Sequence, residues 1–179
     1  MKTLFLIRHA KSSWDDPKLT DRQRPLAARG KRDARRLAKR LAKRYRRPDL
    51  MLSSPAVRAL KTARLINRKL GCQRIAVDAR LYACRSSDLL RVIHQLDDRH
   101  QRVMLFGHNP ELTGLARRFS DEIHHLPTCA AARFKFDASS WSGVSRATLV
   151  AVALDCPERT SGSGTRSGNS DDGRGRRRP

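Results

Sequence analysis

The sequence predicts an α/β domain in three layers, α/β/α, with a mostly parallel central sheet. Short apolar runs of strand length alternate with stretches of helical period, prolines sit where a helix's first turn tolerates a missing N–H, and 179 residues suffice for one domain with its own core. Residues 3–7 (TLFLI) form the first buried strand. A helix over 29–45 follows, with Ala34, Leu37, Ala38, Leu41, Ala42 and Tyr45 on one stripe, Lys and Arg filling the gaps, and Pro48 beyond its end. Residues 50–52 are the second strand. The helix over 55–70 takes Ser54 as its N-cap and Pro55 in its first turn. Residues 74–77 are a weaker strand, and a helix over 87–97 is capped by Ser86 or Ser87. Residues 103–106 (VMLF) and 148–154 (TLVAVAL) are strands, with a weaker one at 133–136, and Asn109 and Pro110 open a helix over 110–119.

Charge narrows the class. Lys and Arg number 39 against 17 Asp and Glu, a formal net charge of +22. Residues 24–47 hold half of that excess, with Asp33 as their one acid. The helix over 29–45 therefore carries a cationic outer face, which reads as a solvated surface or as a docking face for an acidic partner. Its one aromatic residue, Tyr45, lies on the apolar side, so base stacking is not expected and nucleic acid is not expected as a partner. Residues 157–179 lack any large apolar side chain and are dominated by Gly, Ser and Arg. They read as a disordered tail after a domain spanning 1–156. No apolar stretch approaches the length of a membrane span, and the run at residues 4–7 is too short for a secretory core. Cys72, Cys84, Cys129 and Cys156 are scattered without a C-x-x-C pair, which favours free thiols, a cytoplasmic location and no zinc site. A monomer is expected.

Chemistry gathers at the carboxyl ends of the strands. Arg8 and His9 follow the first, Ser53 and Ser54 with Arg58 follow the second, and Gly107, His108 and Asn109 follow VMLF. Ligands of open α/β sheets bind outside those ends, so two arginines and two imidazoles are directed to one crevice, with helix N-termini behind Ser54 and Asn109 adding N–H groups. Arginine suits phosphate because its planar fork donates bidentately and keeps its charge.

The ordered set LFLIRHAKSSW, RPLAARG, SSPAVRALKTA and FGHNPEL resembles the histidine phosphatase superfamily, the phosphoglycerate-mutase-like fold, and within it the small SixA-like phosphohistidine phosphatases. The resemblance spans residue 1 to about residue 155. It implies that His9 attacks phosphorus and is phosphorylated, and that Arg8, Arg58 and His108 form the phosphate pocket. Ser12 and Arg24 are further candidates for substrate binding. No cofactor is implied, and no carboxylate cluster that would hold a metal is visible.

Departures from the family pattern bear on the substrate. Ala10 stands where many relatives have Gly after the histidine, and Asp15 where the mutase branch has Asn. The mutase and ester-phosphatase branches place a Glu acid at the position occupied by Ala83. An alkoxide needs a proton to leave, so a missing acid costs roughly 10²–10⁴-fold on alkyl esters, whereas a protonated phosphoramidate departs as neutral imidazole. Asp88 and Tyr82 are the candidate substitute donors; the other reading of Asp88 is a first-turn helix carboxylate, and that of Tyr82 a partly buried aromatic. The sequence thus points to a phosphohistidine phosphatase with a phosphohistidine enzyme intermediate, acting on a phosphotransfer protein or a small phosphate. A phosphomonoesterase of the same superfamily and a basic nucleic-acid- or protein-binding module with an idle site stand as alternatives.

Overall fold

A computed structural model of the chain describes residues 1–157. Six strands and four helices alternate as the apolar runs require: β1 (Lys2–Arg8), α1 (Ala28–Arg44), β2 (Leu50–Ser53), α2 (Val57–Leu70), β3 (Ile75–Val77), α3 (Ser86–His94), β4 (Arg102–Gly107), α4 (Glu111–Phe119), β5 (Ala131–Phe136) and β6 (Leu149–Asp155). The strands form one sheet in the order β3-β2-β4-β1-β5-β6. All run parallel except β5, which is antiparallel to both its neighbours. No α-helix lies between β5 and β6, only a loop with a single 3-10 turn at Arg146–Thr148, and the pair is antiparallel.

The side-chain period of two divides the sheet into two apolar faces. Phe5, Ile7, Met51, Met104 and Phe106 join the cluster of Ala34, Leu37, Ala38, Leu41 and Ile66 from α1 and α2. Leu4, Leu6, Leu50, Leu52, Val103 and Leu105 join Leu89, Ile93, Leu112, Leu115 and Phe119 from α3 and α4. Cover on both faces is why these strands read as continuous apolar runs instead of alternating ones.

Strand order and register place the site. The chain passes from β1 through α1 to β2, leaving a place that β4 later fills, and the helices change faces between the two windings. Ile7 and Ser53 both pair with Phe106, and Arg8 pairs with Gly107. Three strand ends are therefore level at the switch point of the sheet, where α/β ligands bind.

Two helix boundaries differ from the sequence reading by more than one residue. The second helix begins at Val57, with Pro55 and Ala56 ahead of it in a turn. Ser54 still caps that turn, its Oγ accepting the Ala56 N–H at 3.3 Å. The third helix ends at His94, where the Gln95 N–H turns back to the Arg91 and Val92 carbonyls. The expected tail lies, from residue 158, outside the described residues. Among the described residues no helix is long and apolar enough to cross a membrane.

Candidate active site

His9 leaves the end of β1 with its backbone N–H donated to the Gly107 carbonyl at 3.1 Å. Its ring Nδ1 lies 2.8 Å from the Ala10 carbonyl. A carbonyl only accepts, so Nδ1 carries the proton and Nε2 keeps its lone pair. Arg58 Nε donates to that lone pair at 3.3 Å. The turn is braced from α2, since the Ala10 N–H donates to Thr62 Oγ1 at 3.1 Å and that hydroxyl donates to the Arg58 carbonyl at 2.7 Å. Ala10 is not among the residues at positive φ, so a small side chain fits where relatives carry Gly.

His108 leaves β4 beside it, the two ring centroids 5.1 Å apart. Its Nδ1 accepts from Arg58 Nη2 at 3.3 Å, which leaves Nε2–H to donate to Ser54 Oγ at 2.8 Å. Asn109 closes the turn as a cap for α4: its Oδ1 accepts the Thr113 N–H at 3.3 Å and its Nδ2 donates to the Leu126 carbonyl.

Both rings are neutral at physiological pH. Burial, reinforced by the charges of Arg58, Arg8 and Arg24, holds His9 down to about 4 against the opposing pull of the Ala10 carbonyl. Burial, with Arg58 and His9 beside it, holds His108 down to about 3. A neutral imidazole whose Nε2 lone pair is held only by a long bond from a guanidinium group can act as a nucleophile toward an anion.

Arg58 is the centre of the site. It is buried, and its remaining donors go to Asp21: Nη1 to the backbone carbonyl and Nη2 to Oδ2 at 2.8 Å. The Asp21 carboxylate also accepts from Tyr82 Oη at 2.9 Å and Arg24 Nη1 at 3.1 Å. Burial pushes its pKa up, but the hydrogen bonds from Arg58, Tyr82 and Arg24 outweigh that and hold it at about 2. Arg8 donates Nη1 to the Leu126 carbonyl at 2.9 Å, and its buried Nε has no partner among the described residues.

The remaining candidates are placed differently. Arg24 and Ser12 are both buried and bonded to each other, Arg24 Nη2 donating to Ser12 Oγ at 2.8 Å. Arg24 also donates Nε to the Ser13 carbonyl and stacks on exposed Trp14. This pair props the loop between β1 and α1. Asp88 caps α3, its carboxylate accepting the Arg85 N–H at 2.8 Å and pairing with Arg91. The Arg85 backbone bond and Arg91 hold its pKa below the usual carboxylate range. It lines a cleft with Tyr82 and Ala83, which also line the neighbouring one shared by Arg58 and His108. Asp15 lines a third cleft with Asp16 and Lys31. Asp21 was not singled out by sequence. Its acidity is unremarkable in a loop, and its main partner lies 37 residues away.

Comparison with known proteins identifies the family. The profile of the histidine phosphatase superfamily (branch 1) matches residues 4–89, which include Arg8, His9 and Arg58. An uncharacterized chloroplastic protein of Arabidopsis thaliana is 31% identical over 150 residues, covering 78% of this chain and 69% of the relative. The chain belongs to the histidine phosphatase superfamily. Membership together with the phosphatases among its solved structural relatives makes the chain a phosphatase. The solved structure of SixA from Agrobacterium tumefaciens, assigned as a phosphohistidine phosphatase, is 32% identical with a TM-score of 0.71, covering 75% of this chain and 92% of that one. The protein histidine phosphatase SixA complexed with tungstate matches at a TM-score of 0.66 and 19% identity, over 86% of this chain and 94% of that one, a likeness of fold.

Proposed function

We propose that this histidine phosphatase hydrolyses phosphohistidine, through a covalent intermediate on His9. The observation that carries the reading is the His9 ring: Nδ1–H is fixed on the Ala10 carbonyl and Nε2 faces the Arg58 guanidinium. The Nε2 lone pair forms a bond to phosphorus as the substrate's N–P bond breaks, the electron pair of that bond leaving with the substrate nitrogen. Arg58 and Arg8, with the ring of His108 beside Arg58, face the equatorial oxygens, where most of the barrier to phosphoryl transfer is lowered. Water then takes the phosphoryl group from His9. His9 leaves as a neutral ring because Nδ1 has kept its proton throughout.

Ala83 supports a phosphoramidate substrate over an ester. It lines the same cleft as Arg58 and His108 and itself brings no acid; the carboxylates on that cleft are Asp21, which is tied to Arg58, and Glu111. A departing imidazole that already carries a proton on its distal nitrogen needs no such acid, whereas an alkoxide does. The test compares kcat/KM on a phosphohistidine peptide and on an alkyl phosphate monoester, with His9→Ala as control. The expected result is faster hydrolysis of the phosphoramidate and loss of both activities by several orders of magnitude in the variant. Faster cleavage of the alkyl ester overturns the substrate assignment, and a fully active His9→Ala protein overturns the mechanism.

A further inference from the structure

We propose that Asp21 selects phosphohistidine over phosphate esters by accepting a hydrogen bond from the distal N–H of the departing imidazole. This rests on the phosphohistidine reading of the site and names the residue that gives it specificity. The observation behind it is a carboxylate where a phosphate pocket should not tolerate one. Asp21 is bonded to the same Arg58 that faces His9 and His108, and it lines their cleft together with Tyr82, Ala83, Asn109 and Glu111. Beside a phosphate dianion a fixed negative charge is repulsive, unless the substrate brings a positive charge of its own to that place. A phosphoester brings none. A phosphohistidine protonated on its distal nitrogen brings an imidazolium.

The carboxylate is built to stay charged and to hold still. Arg58 from α2, Arg24 from Asp21's own loop and Tyr82 from the loop before α3 donate to it. Those three bonds leave acceptor capacity, because an ionised carboxylate offers about four lone-pair sites. Its side chain is 52% exposed, so a substrate ring can reach it. Of the other groups on the cleft, His108 is a neutral ring whose Nε2–H is committed to Ser54, and Glu111 stands at the start of α4 with no bond to Arg58. Asp21 is thus the fixed anion of this pocket.

The enzyme's own histidine shows the same device. The Ala10 carbonyl holds a proton on the distal nitrogen of His9, so that ring departs neutral from phosphorus in the second step. In the first step the Asp21 carboxylate does this for the substrate's ring. The N–P bond breaks with its electron pair passing to the proximal nitrogen, the proton stays on the distal nitrogen, and neutral imidazole departs while His9 Nε2 bonds to phosphorus. No external acid is consumed.

The experiment measures kcat/KM for phosphoimidazole and for p-nitrophenyl phosphate, whose leaving group needs no proton, in wild type and in Asp21→Asn. The asparagine keeps an acceptor for Arg58 and loses the charge. Asp21→Ser is the second variant, and thermal unfolding confirms that each is folded. Losing a hydrogen bond to a charged group lowers phosphoimidazole turnover about ten- to hundredfold. The ratio of phosphoimidazole to p-nitrophenyl phosphate turnover therefore falls at least about tenfold. If Asp21 only positions Arg58, both substrates lose together and the ratio holds; any fall smaller than tenfold overturns the proposal while leaving the function standing. A wild-type enzyme without phosphoimidazole turnover overturns both.

Discussion

Protonation of the two site histidines links folding stability to pH. In the native protein His9 titrates at about 4 and His108 at about 3, against 6.5 for an unperturbed imidazole. The native rings are held neutral, so the unfolded chain binds more protons as pH falls below 6.5, and stability falls with it. Between pH 7 and pH 5 each unfolded ring passes from mostly neutral to almost fully protonated while neither native ring changes. At about 1.4 kcal/mol per proton per pH unit this integrates to about 2 kcal/mol per ring and about 4 kcal/mol for both. Asp21, held at about 2, titrates below this window. Urea unfolding followed by circular dichroism at pH 7, 6 and 5 measures the loss. His108→Gln and His9→Gln should each remove about half of it, because neither glutamine takes up a proton. A wild type equally stable at pH 7 and pH 5, or variants that keep the full wild-type slope, refutes the neutral-ring assignment.

Three further outcomes follow from the geometry. In Gly30→Ala the new Cβ would meet the Lys11 carbonyl oxygen at 2.1 Å and its nitrogen at 2.9 Å, both backbone atoms that cannot rotate away. Overpacking of this kind costs about 1–3 kcal/mol, and because Lys11 lies two residues beyond His9, calorimetry should show a lower melting temperature together with reduced kcat. Ala83→Glu, which places an acid in the cleft of Arg58 and His108, should raise alkyl-ester hydrolysis relative to phosphohistidine hydrolysis in a paired kinetic assay. Raising salt from low to physiological ionic strength should slow hydrolysis of an acidic phosphoprotein more than that of phosphoimidazole, because long-range steering by the exposed Lys31, Arg35 and Lys39 is screened; equal slowing in stopped-flow runs would count against α1 as a docking face.

The fold was legible where one local pattern dictates it. β1, β2 and β4 are covered on both sides, so their sequences carry uninterrupted apolar runs, and α1 shows its buried stripe directly. The reversed direction of β5 was not legible, because direction depends on what the connection does and not on the strand's own residues. The start of α2 was misread by two residues: Ser54 and Pro55 look like a helix opening, but Ser54 Oγ is shared with His108 and its turn belongs to the site. In the loop between β1 and α1, Ser12 and Arg24 carry the residue types of a phosphate rim, yet no periodicity tells that they bond to each other. Asp21 was invisible for a related reason. What makes it unusual is an arginine 37 residues away, a contact that only the closed fold creates.

On the proposed mechanism, Arg58 accounts for how one site can hold its nucleophile in reserve and then release it. Before substrate arrives it donates to both histidines, but at 3.3 Å, the long end of hydrogen bonding. Its Nη groups are meanwhile anchored to Asp21, with Nη2 at 2.8 Å from the carboxylate. The guanidinium is thus fixed by the strong bonds and only lightly occupied by the weak ones. Phosphate oxygens, as charged acceptors, make shorter and stronger bonds than a neutral ring nitrogen. In that mechanism they would displace the imidazoles from Arg58 with little movement of the arginine, and the exchange would uncover the Nε2 lone pair of His9 as phosphorus comes within reach. Until then the positive charge of Arg58 disfavours protonation of that same nitrogen, so the group that binds the substrate also keeps the nucleophile ready for it.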